Sequence, residues 1–342
     1  MNDIDRVELE HGAGGRAMSK FLREVIFPHF KLNSYEDGLG LPAEDDGGTI
    51  PLEQHEIVVS TDNHTVFPLF FAGGDIGKLA AAGTINDVAM LGAKPLVMTC
   101  ALVIEEGFPV ADLHRILDSL GTTAAEEQVA IIAGDTKVLP RGTLDQLMIC
   151  TTGIGVIPRG RVITDSGVRK GDSIIITGSI GDHGIALLAE REGLSFETSL
   201  VSDVAPLWSM IKGALDVGGI HAMKDPTRGG VAAALNEIAR KSQVSLWIEE
   251  DKLPIRREVQ AASQMLGLDP MQVTCEGKAI IAVAEEKASD VLQAIRKTRT
   301  GANAEIIGIA KSERPGNVFM KTEIGGTRII QQPWAEAIPR VC

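Results

Sequence analysis

Aromatic side chains are scarce in this chain: phenylalanine, tryptophan and tyrosine together make up 4% of its 342 residues, and there is a single tyrosine. Proteins that bind single-stranded nucleic acid stack the bases on aromatic side chains, so this composition argues against that function. The formal net charge of −13 would also repel phosphate backbones and anionic lipid surfaces. We therefore expect neither nucleic acid nor a membrane surface as a partner.

Targeting and metal-binding signals are also missing. No apolar run reaches the roughly 20 residues that a membrane helix needs, and the opening MNDIDRVELEHGAGG lacks the basic and apolar stretches of a signal peptide. The four cysteines, Cys100, Cys150, Cys275 and Cys342, are far apart and lack C-x-x-C spacing. These features predict a cytoplasmic protein with free thiols and no zinc knuckle.

Two common nucleotide-binding motifs are absent, namely the Walker A loop and the G-x-G-x-x-G fingerprint. Instead, aspartates adjoin glycines or other small residues at 45–48 (DDGG), 60–62 (STD), 73–75 (GGD), 86–87 (ND) and 134–137 (GDTK). Carboxylates suit Mg²⁺, which bridges to substrate phosphates, and glycines let backbone N–H groups approach those phosphates. Aspartate and glycine are also ordinary turn residues. The recurrence of such clusters in the first half of one chain favours a metal–nucleotide site.

The length and the 44% apolar content predict two α/β domains, because strand patterns alternate with helical patterns in both halves. We place the first domain at residues 1–157, the second at 158–330, and a flexible tail without periodicity at 331–342. Strands are predicted at 56–60, 129–133, 147–151, 173–177, 279–284 and 305–309, with 129–133 and 147–151 buried. Helices are predicted within 75–92, around 113–120, from a glycine-rich turn at 178–184 to 192, and around 231–238 and 291–295.

The second half contains two junctions between a loop and a helix that could receive an anion. They are residues 181–184 (GDHG) and 224–230 (KDPTRGG), and Asp225–Thr227 is expected in the first turn of the helix that follows. His183 could act as a general base or an orienting donor, although a lone histidine is more often structural. Glu276, at another junction between a loop and a strand, could act as a base.

Cys342 stands at the end of a short segment, Pro-Arg-Val-Cys, that predicts a stiff and exposed tip. An exposed free thiol is normally a liability, so its presence there predicts a chemical role. Lys137 directly follows the last aspartate cluster and could hold a phosphate as a point charge, whereas Lys78 is a weaker candidate of the same kind. The alternative for both lysines is a solvated surface charge.

Taken in order, these segments resemble the superfamily of aminoimidazole ribonucleotide synthetase, selenophosphate synthetase, thiamine monophosphate kinase and HypE. Residues 83–95 (GTINDVAMLGAKP) and 133–137 (AGDTK) are similar to its nucleotide-site signatures. Within it, residues 11–15 (HGAGG), 71–78 (FAGGDIGK), 224–230 and the ending PRVC resemble the HypE family. Two departures are Gly47-Gly48, where an alanine is expected, and Cys275, where a small residue is expected. The second departure raises the possibility of thiol chemistry near the site.

The resemblance implies a two-domain fold like that of aminoimidazole ribonucleotide synthetase (PurM-like), with mixed α+β sheets, and a homodimer formed through the first domain. It implies that ATP and Mg²⁺ drive dehydration of a carbamoyl group on Cys342 to a thiocyanate, the source of the cyanide ligands of NiFe hydrogenase. The implied partners are the carbamoyltransferase HypF, which loads the thiol, and the HypC–HypD complex, which receives the cyanide.

The residue roles that follow are also implied by the resemblance. Four residues are assigned to the chemistry: Cys342, Glu276, Lys137 and His183. The residues assigned to ATP and magnesium are Asp45, Asp46, Asp62, Asp75, Lys78, Asn86, Asp87, Gly134, Asp135, Thr136, Lys137, Asp225 and Arg228. Within that set, the residues assigned to the metal itself are Asp46, Asp62, Asp87 and Asp135. Two rival interpretations remain open, namely a sibling enzyme with a free small-molecule substrate and a non-enzymatic scaffold that displays Cys342.

Overall fold

The computed structural model describes residues 4–193, 200–338 and 340–342, which form two mixed sheets flanked by helices and one small two-stranded antiparallel sheet. The strands are β1 (Gly48–Leu52), β2 (His55–His64), β3 (Phe70–Phe71), β4 (Gly74–Asp75), β5 (Lys94–Glu105), β6 (Ala130–Leu139), β7 (Leu147–Pro158), β8 (Ser173–Ile176), β9 (Ile220–Lys224), β10 (Ser245–Glu249), β11 (Ile280–Val283), β12 (Glu305–Lys311), β13 (Val318–Lys321) and β14 (Thr327–Ile330). The helices are α1 (Gly15–Phe21), α2 (Ile76–Met90), α3 (Val110–Glu126), α4 (Asp182–Arg191), α5 (Trp208–Val217), α6 (Gly230–Ser242), α7 (Arg257–Leu266) and α8 (Glu285–Arg296).

The first sheet has the strand order β1-β2-β7-β5-β6, and all neighbours are antiparallel except β5 and β6. The helix α2, which packs on this sheet, starts where the Asp75 carboxylate accepts hydrogen bonds from the N–H groups of Gly77 (2.7 Å) and Lys78 (3.0 Å). It ends before Gly92, whose positive φ of 76° is the conformation that stops helices. The predicted helix within 75–92 is therefore confirmed.

Strand β6 corrects one prediction. Residues 129–133 were expected to form a buried strand, but β6 lies at the edge of the sheet and its residues are exposed from Ala130 to Lys137. Ile131, Ile132 and Val138 are all exposed, Ile132 to 61%. An apolar, β-branched sequence predicts a strand but not the identity of what covers it. The exposed apolar edge is a surface that another chain could cover.

The second sheet has the order β14-β13-β10-β12-β8-β11-β9. Its interior strand β8 is buried on both faces, which explains the unbroken run of three isoleucines. Ile174 and Ile176 pack with Val231 and Leu235 of α6, whereas Ile175 faces a core formed by α5 and α8 on the opposite side. The core on that opposite side also contains side chains of α2, so the two sheets share buried apolar contacts.

Two helix starts differ from the predictions. Helix α6 begins at Gly230, so Asp225–Thr227 lies in the preceding loop and supplies no capping side chain. Gly229 and Gly230 both have positive φ, and a Cβ on Gly230 would lie 2.6 Å from the Val273 carbonyl oxygen. Helix α4 begins at Asp182, inside the segment predicted as a glycine-rich turn. No helix among the described residues is long and apolar enough to cross a membrane.

Candidate active site

The C-terminal segment, residues 331–342, passes over the start of α1 at residues 333–336. The N–H groups of Arg16 and Ala17 donate hydrogen bonds to the carbonyl oxygens of Pro333 (3.2 Å) and Trp334 (3.0 Å). Both N–H groups belong to the first turn of α1, where N–H groups have no hydrogen-bond acceptor inside the helix. The tail supplies these acceptors and so caps the helix. The Glu336 N–H in turn donates to the Ala13 carbonyl oxygen at 3.0 Å. We call Ala13–Ala17 the tail clamp.

Glycines are needed at positions 14 and 15 of the tail clamp because other parts of the chain pass very close to their backbone. Gly14 and Gly15 both have positive φ, at 69° and 66°. A Cβ on Gly15 would lie 2.6 Å from the Pro333 carbonyl oxygen, and a Cβ on Gly14 would lie 2.6 Å from Cβ of Arg228. In the motif HGAGG, which the sequence alone left without a role, Gly15 therefore makes room for the tail and Gly14 makes room for Arg228.

Beyond the clamp, the tail runs along the end of β2. The N–H groups of Thr65 and Phe67 each donate a hydrogen bond of 3.3 Å, to the carbonyl oxygens of Cys342 and Arg340 respectively. The Arg191 guanidinium also donates to the Arg340 carbonyl oxygen. Val341 is fully buried, and Cys342 is half-buried rather than an exposed tip as predicted. In this structure the tail is therefore inserted into the protein. Pro339 lies outside the described residues. The flexibility of the tail stays a prediction.

Ionisable groups surround the Cys342 thiol. Burial raises the pKa of this thiol well above its usual value, Arg228 opposes that shift, and Glu276, Glu336 and Asp62 add to it. The thiol is therefore protonated at neutral pH while the tail is inserted. Glu276 is buried, and its pKa is raised well above the usual range by burial and by neighbouring carboxylates, including Asp225. The predicted residues Cys342, Glu276, Arg228 and Asp62 thus come together.

A second group of carboxylates adjoins the first. Burial and the charges of Asp62, Asp225 and Asp46 raise the pKa of Asp87 well above its usual value. Burial likewise raises the pKa of Asp225 to about 8 and that of Asp45 to about 7. Such mutual repulsion is relieved when a cation binds. Among the described residues, however, no three or more His, Cys, Asp or Glu side chains stand ready to hold a metal ion.

Lys224 holds the Asp45–Asp46 segment against the second domain. Its Nζ lies 2.5 Å from Asp46 Oδ1 and 3.7 Å from Asp165 Oδ2, and the Asp165 N–H donates to Asp45 Oδ2 at 3.1 Å. Burial alone would lower the pKa of Lys224, but Asp46, Glu237 and Asp165 raise it well above the usual value. The other oxygen of Asp46, Oδ2, is buried and makes no hydrogen bond. It is available to a cation.

Several predicted nucleotide residues make other contacts. Asp75 caps α2, and Lys78 Nζ donates to the Gly73 carbonyl oxygen at 2.9 Å. The buried Asn86 amide is engaged by the second domain, because its Oδ1 accepts from Leu207 N–H (2.8 Å) and its Nδ2 donates to the Ala205 carbonyl oxygen (3.1 Å). The remaining predicted residues of this set lie exposed on the edge strand β6: Gly134, Asp135, Thr136 and Lys137.

His183 and Cys275 are both fully buried. His183 bonds to the tail: its Nε2 lies 2.7 Å from the Val341 carbonyl oxygen and its Nδ1 lies 2.7 Å from Ser202 Oγ. Burial raises the pKa of the Cys275 thiol well above its usual value, and this thiol packs in the core beneath α6. The structure gives no support to the possibility of thiol chemistry at Cys275, because its side chain fills the core.

The sequence assigned no role to Lys224, Ser202, Glu336 or the residues of the tail clamp. Lys224 had a signal, since it directly precedes Asp225 in a segment already selected. Ser202 and Glu336 had none, because their roles depend on where the tail lies. Glu336 Oε1 accepts a hydrogen bond from Thr274 Oγ1 at 3.1 Å, and burial raises the pKa of Glu336 to about 7, against the lowering effect of Arg228.

Comparison with known proteins defines the class. The family model for the N-terminal domain of AIR synthase related protein matches residues 44–157, and the model for its C-terminal domain matches residues 169–321. Carbamoyl dehydratase HypE of Rhizobium leguminosarum is 45% identical, covering 98% of this chain and 95% of that protein. HypE of Bradyrhizobium diazoefficiens is 43% identical, covering 98% and 96%.

Solved structures agree with this classification. A HypE–HypF complex superposes with a TM-score of 0.85 and 42% identity, covering 92% of this chain and 99% of that chain. HypE in complex with ATP gives a TM-score of 0.82 and 40% identity, covering 98% and 100%. The chain therefore belongs to the HypE family of the AIR synthase related proteins, and the predicted two-domain PurM-like fold is confirmed.

The tail clamp can be tested at Gly15. In Gly15→Ala, the new Cβ would collide with the Pro333 carbonyl oxygen and the residue would be strained at positive φ. We expect Cys342 to react with a maleimide about tenfold faster, because a loss of about 1.4 kcal/mol in tail docking exposes the thiol. Gly12→Ala is the matched control, since a Cβ there meets nothing within 4 Å. Equal labelling rates in both variants would contradict the clamp.

Tail docking should also depend on pH through Glu336. Its pKa is raised to about 7 in the inserted tail, so the docked state holds the proton more tightly than the released state. The free energy by which protonated Glu336 stabilises the docked tail is fully present at a pH below the ordinary pKa of a glutamate. This stabilisation is lost as the pH rises through about 7. We expect the ratio of Cys342 labelling rates, parent over Glu336→Gln, to rise at least about threefold between about pH 5 and about pH 8. A ratio that stays flat would refute this.

Proposed function

We propose that this chain is an ATP-dependent carbamoyl dehydratase of hydrogenase maturation. It converts an S-carbamoyl group on Cys342 into a thiocyanate, which supplies cyanide to the iron of NiFe hydrogenase. The observation that carries the proposal is the position of Cys342, inserted among Glu276, Arg228 and Asp62 beside the carboxylates that would meet a nucleotide. Family membership supports the same reaction, since the relatives are carbamoyl dehydratases.

The reaction balances as follows. The carbamoyl oxygen attacks the γ-phosphorus of ATP and ADP leaves, which turns a poor leaving group into a phosphate ester. The nitrogen loses one proton as this ester forms. It loses the second proton as the C–O bond breaks, phosphate departs and the C≡N bond forms. The net change on the sulfur is the loss of one water.

Two protons must therefore be removed beside the thiol. Glu276 is the candidate base: it is buried, its Oε1 makes no hydrogen bond, and its raised pKa makes the ionised form a stronger base than an ordinary carboxylate. Arg228 supplies positive charge beside the same sulfur. Lys137 lies on the exposed edge strand β6, so we propose that it acts in a site that this strand completes in a homodimer.

Magnesium fits the carboxylates that the fold brings together. Asp46 has a buried oxygen without a partner, and the raised pKa of Asp87 reflects an excess of negative charge with Asp62 and Asp225 nearby. These residues would hold Mg²⁺ with the phosphates completing its ligand shell, since they do not form a ready-made set of three ligands. When bound, the ion neutralises the triphosphate and orients it for in-line transfer.

The proposed partners are those that the family resemblance implies. A HypF-type carbamoyltransferase must load Cys342, and a HypC–HypD-type complex in the cytoplasm must accept the cyanide. Either exchange requires Cys342 to leave the cleft, because the inserted thiol is half-buried and tied at Thr65. Tethering then makes its return an intramolecular step with a high effective concentration.

The direct test uses mass spectrometry of the carbamoylated protein with ATP and Mg²⁺. The parent should lose one water from the C-terminal peptide, and Cys342→Ala should show no such change while it binds ATP with unchanged affinity. A parent that keeps its carbamoyl group would indicate a scaffold that only displays the thiol. Turnover of a soluble acceptor by the Cys342→Ala variant would indicate a sibling enzyme.

The homodimer is tested at the edge strand β6. Ile132→Lys places a charge on a side chain that is 61% exposed in the single chain and would be covered in the dimer. We expect the dimer dissociation constant to rise at least about tenfold in sedimentation equilibrium. Ile324→Lys, at a side chain that is 96% exposed, is the matched control. A parent that sediments as a monomer would contradict the proposal.

A further inference from the structure

The fully buried His183 is attached to the tail and not to the acidic cleft. Its Nε2 lies 2.7 Å from the Val341 carbonyl oxygen, the peptide bond that joins directly to Cys342. A carbonyl oxygen has no proton to give, so Nε2 must carry the hydrogen and donate it. The ring therefore fixes the last peptide group before the reacting sulfur.

The other ring nitrogen completes a defined chain of hydrogen bonds. In the neutral ring with hydrogen on Nε2, Nδ1 can only accept, and Ser202 Oγ is 2.7 Å away. Ser202 therefore donates its hydroxyl hydrogen to Nδ1, while its oxygen accepts the Val204 N–H at 3.1 Å. Burial lowers the pKa of His183, which keeps the ring neutral and this arrangement intact. Every donor then has an acceptor.

The ring is also held sterically. Phe71 packs edge-on against His183, with the ring centroids 5.5 Å apart and the planes at 89°. Ser202 is anchored as well, since its N–H donates to the Ala72 carbonyl oxygen at 2.8 Å. The donor that meets the tail therefore has one orientation, which is what a positioning group requires.

We propose that His183 and Ser202 form a latch that positions the tail: they grip the Val341 carbonyl and so fix the Cys342 sulfur beside Glu276 and Arg228. His183 acts on the reaction through the backbone of the tail, as the orienting donor and not as the general base, the two roles that its sequence context indicated. The inference rests on the proposed function only for its effect on turnover, because docking of the thiol is observable without any reaction.

The test compares three variants by the rate at which a maleimide labels Cys342 in the uncarbamoylated protein, with the labelled peptide identified by mass. His183→Phe keeps an aromatic ring beside Phe71 but removes the donor. It should raise the labelling rate about tenfold, the change expected when one buried hydrogen bond to the tail is lost. His183→Gln can place an amide N–H near the position of Nε2 and should stay within about threefold of the parent.

Controls separate the latch from general damage. His114→Phe makes the same chemical change at an exposed histidine of α3 and should leave labelling unchanged. Affinity for ATP should be the same in all variants, whereas the single-turnover dehydration rate of His183→Phe should fall about tenfold with partial rescue in His183→Gln. Labelling that is unchanged in His183→Phe, or raised equally in both His183 variants, would overturn the latch.

The two proposals can fail separately. If labelling responds as expected but even the parent never dehydrates its carbamoyl group, the latch stands and the proposed function fails. If the parent dehydrates normally and His183→Phe shows parental labelling and turnover, the function stands and the latch fails.

Discussion

Insertion of the tail between the tail clamp and the end of β2 is the interaction on which the site depends. The contacts are mostly backbone hydrogen bonds, in which the N–H groups of Arg16, Ala17 and Thr65 donate to carbonyl oxygens of the tail. Such bonds do not depend on the side chains of these residues. Specificity comes from shape, because Gly15 leaves space for the tail that a Cβ would fill. Many individually modest bonds give a docked state that can still open, since each contributes only about 1 kcal/mol net.

The electrostatics of the cleft follow from that insertion. Carboxylates of both domains meet where the tail ends, and burial and mutual repulsion raise the pKa values of Asp87, Asp225 and Glu276 above their usual range. The same repulsion makes the cleft receptive to a cation and to the positive charge of Arg228. A chain with a net charge of −13 can thus accept a triphosphate locally if divalent metal accompanies it.

Sequence patterns predicted a strand or a helix correctly where the arrangement of apolar residues matched the surfaces that the chain itself buries. The three isoleucines of β8 form an interior strand because helices cover both faces, and the α2 pattern is confirmed with Asp75 as its cap. The prediction for β6 was wrong in its burial, since an apolar strand has the same pattern whether its own chain or another chain covers it. Asp225 was placed in a helix that starts only at Gly230, because two consecutive glycines with positive φ delay that helix.

Site residues could be predicted where they belong to a recognisable local motif. They could not be predicted where their role depends on a contact between two segments that are distant in the sequence. Asp62, Glu276, Arg228 and Cys342 were selected from local motifs, and the fold brings them together. The contact of His183 with Val341 joins residues 158 positions apart, so nothing local in the sequence announces it. Lys224 holding Asp46 across 178 positions is a similar case.

Each chain inserts its own tail into its own cleft, and we propose that the carbamoyl group on Cys342 reacts there. The most direct test is the single-turnover rate of carbamoyl loss, measured with saturating ATP and Mg²⁺ across a hundredfold range of protein concentration. If each molecule acts on its own tail, the first-order rate constant does not change over that range. A rate constant that grows in proportion to protein concentration would instead show that one molecule acts on the tail of another.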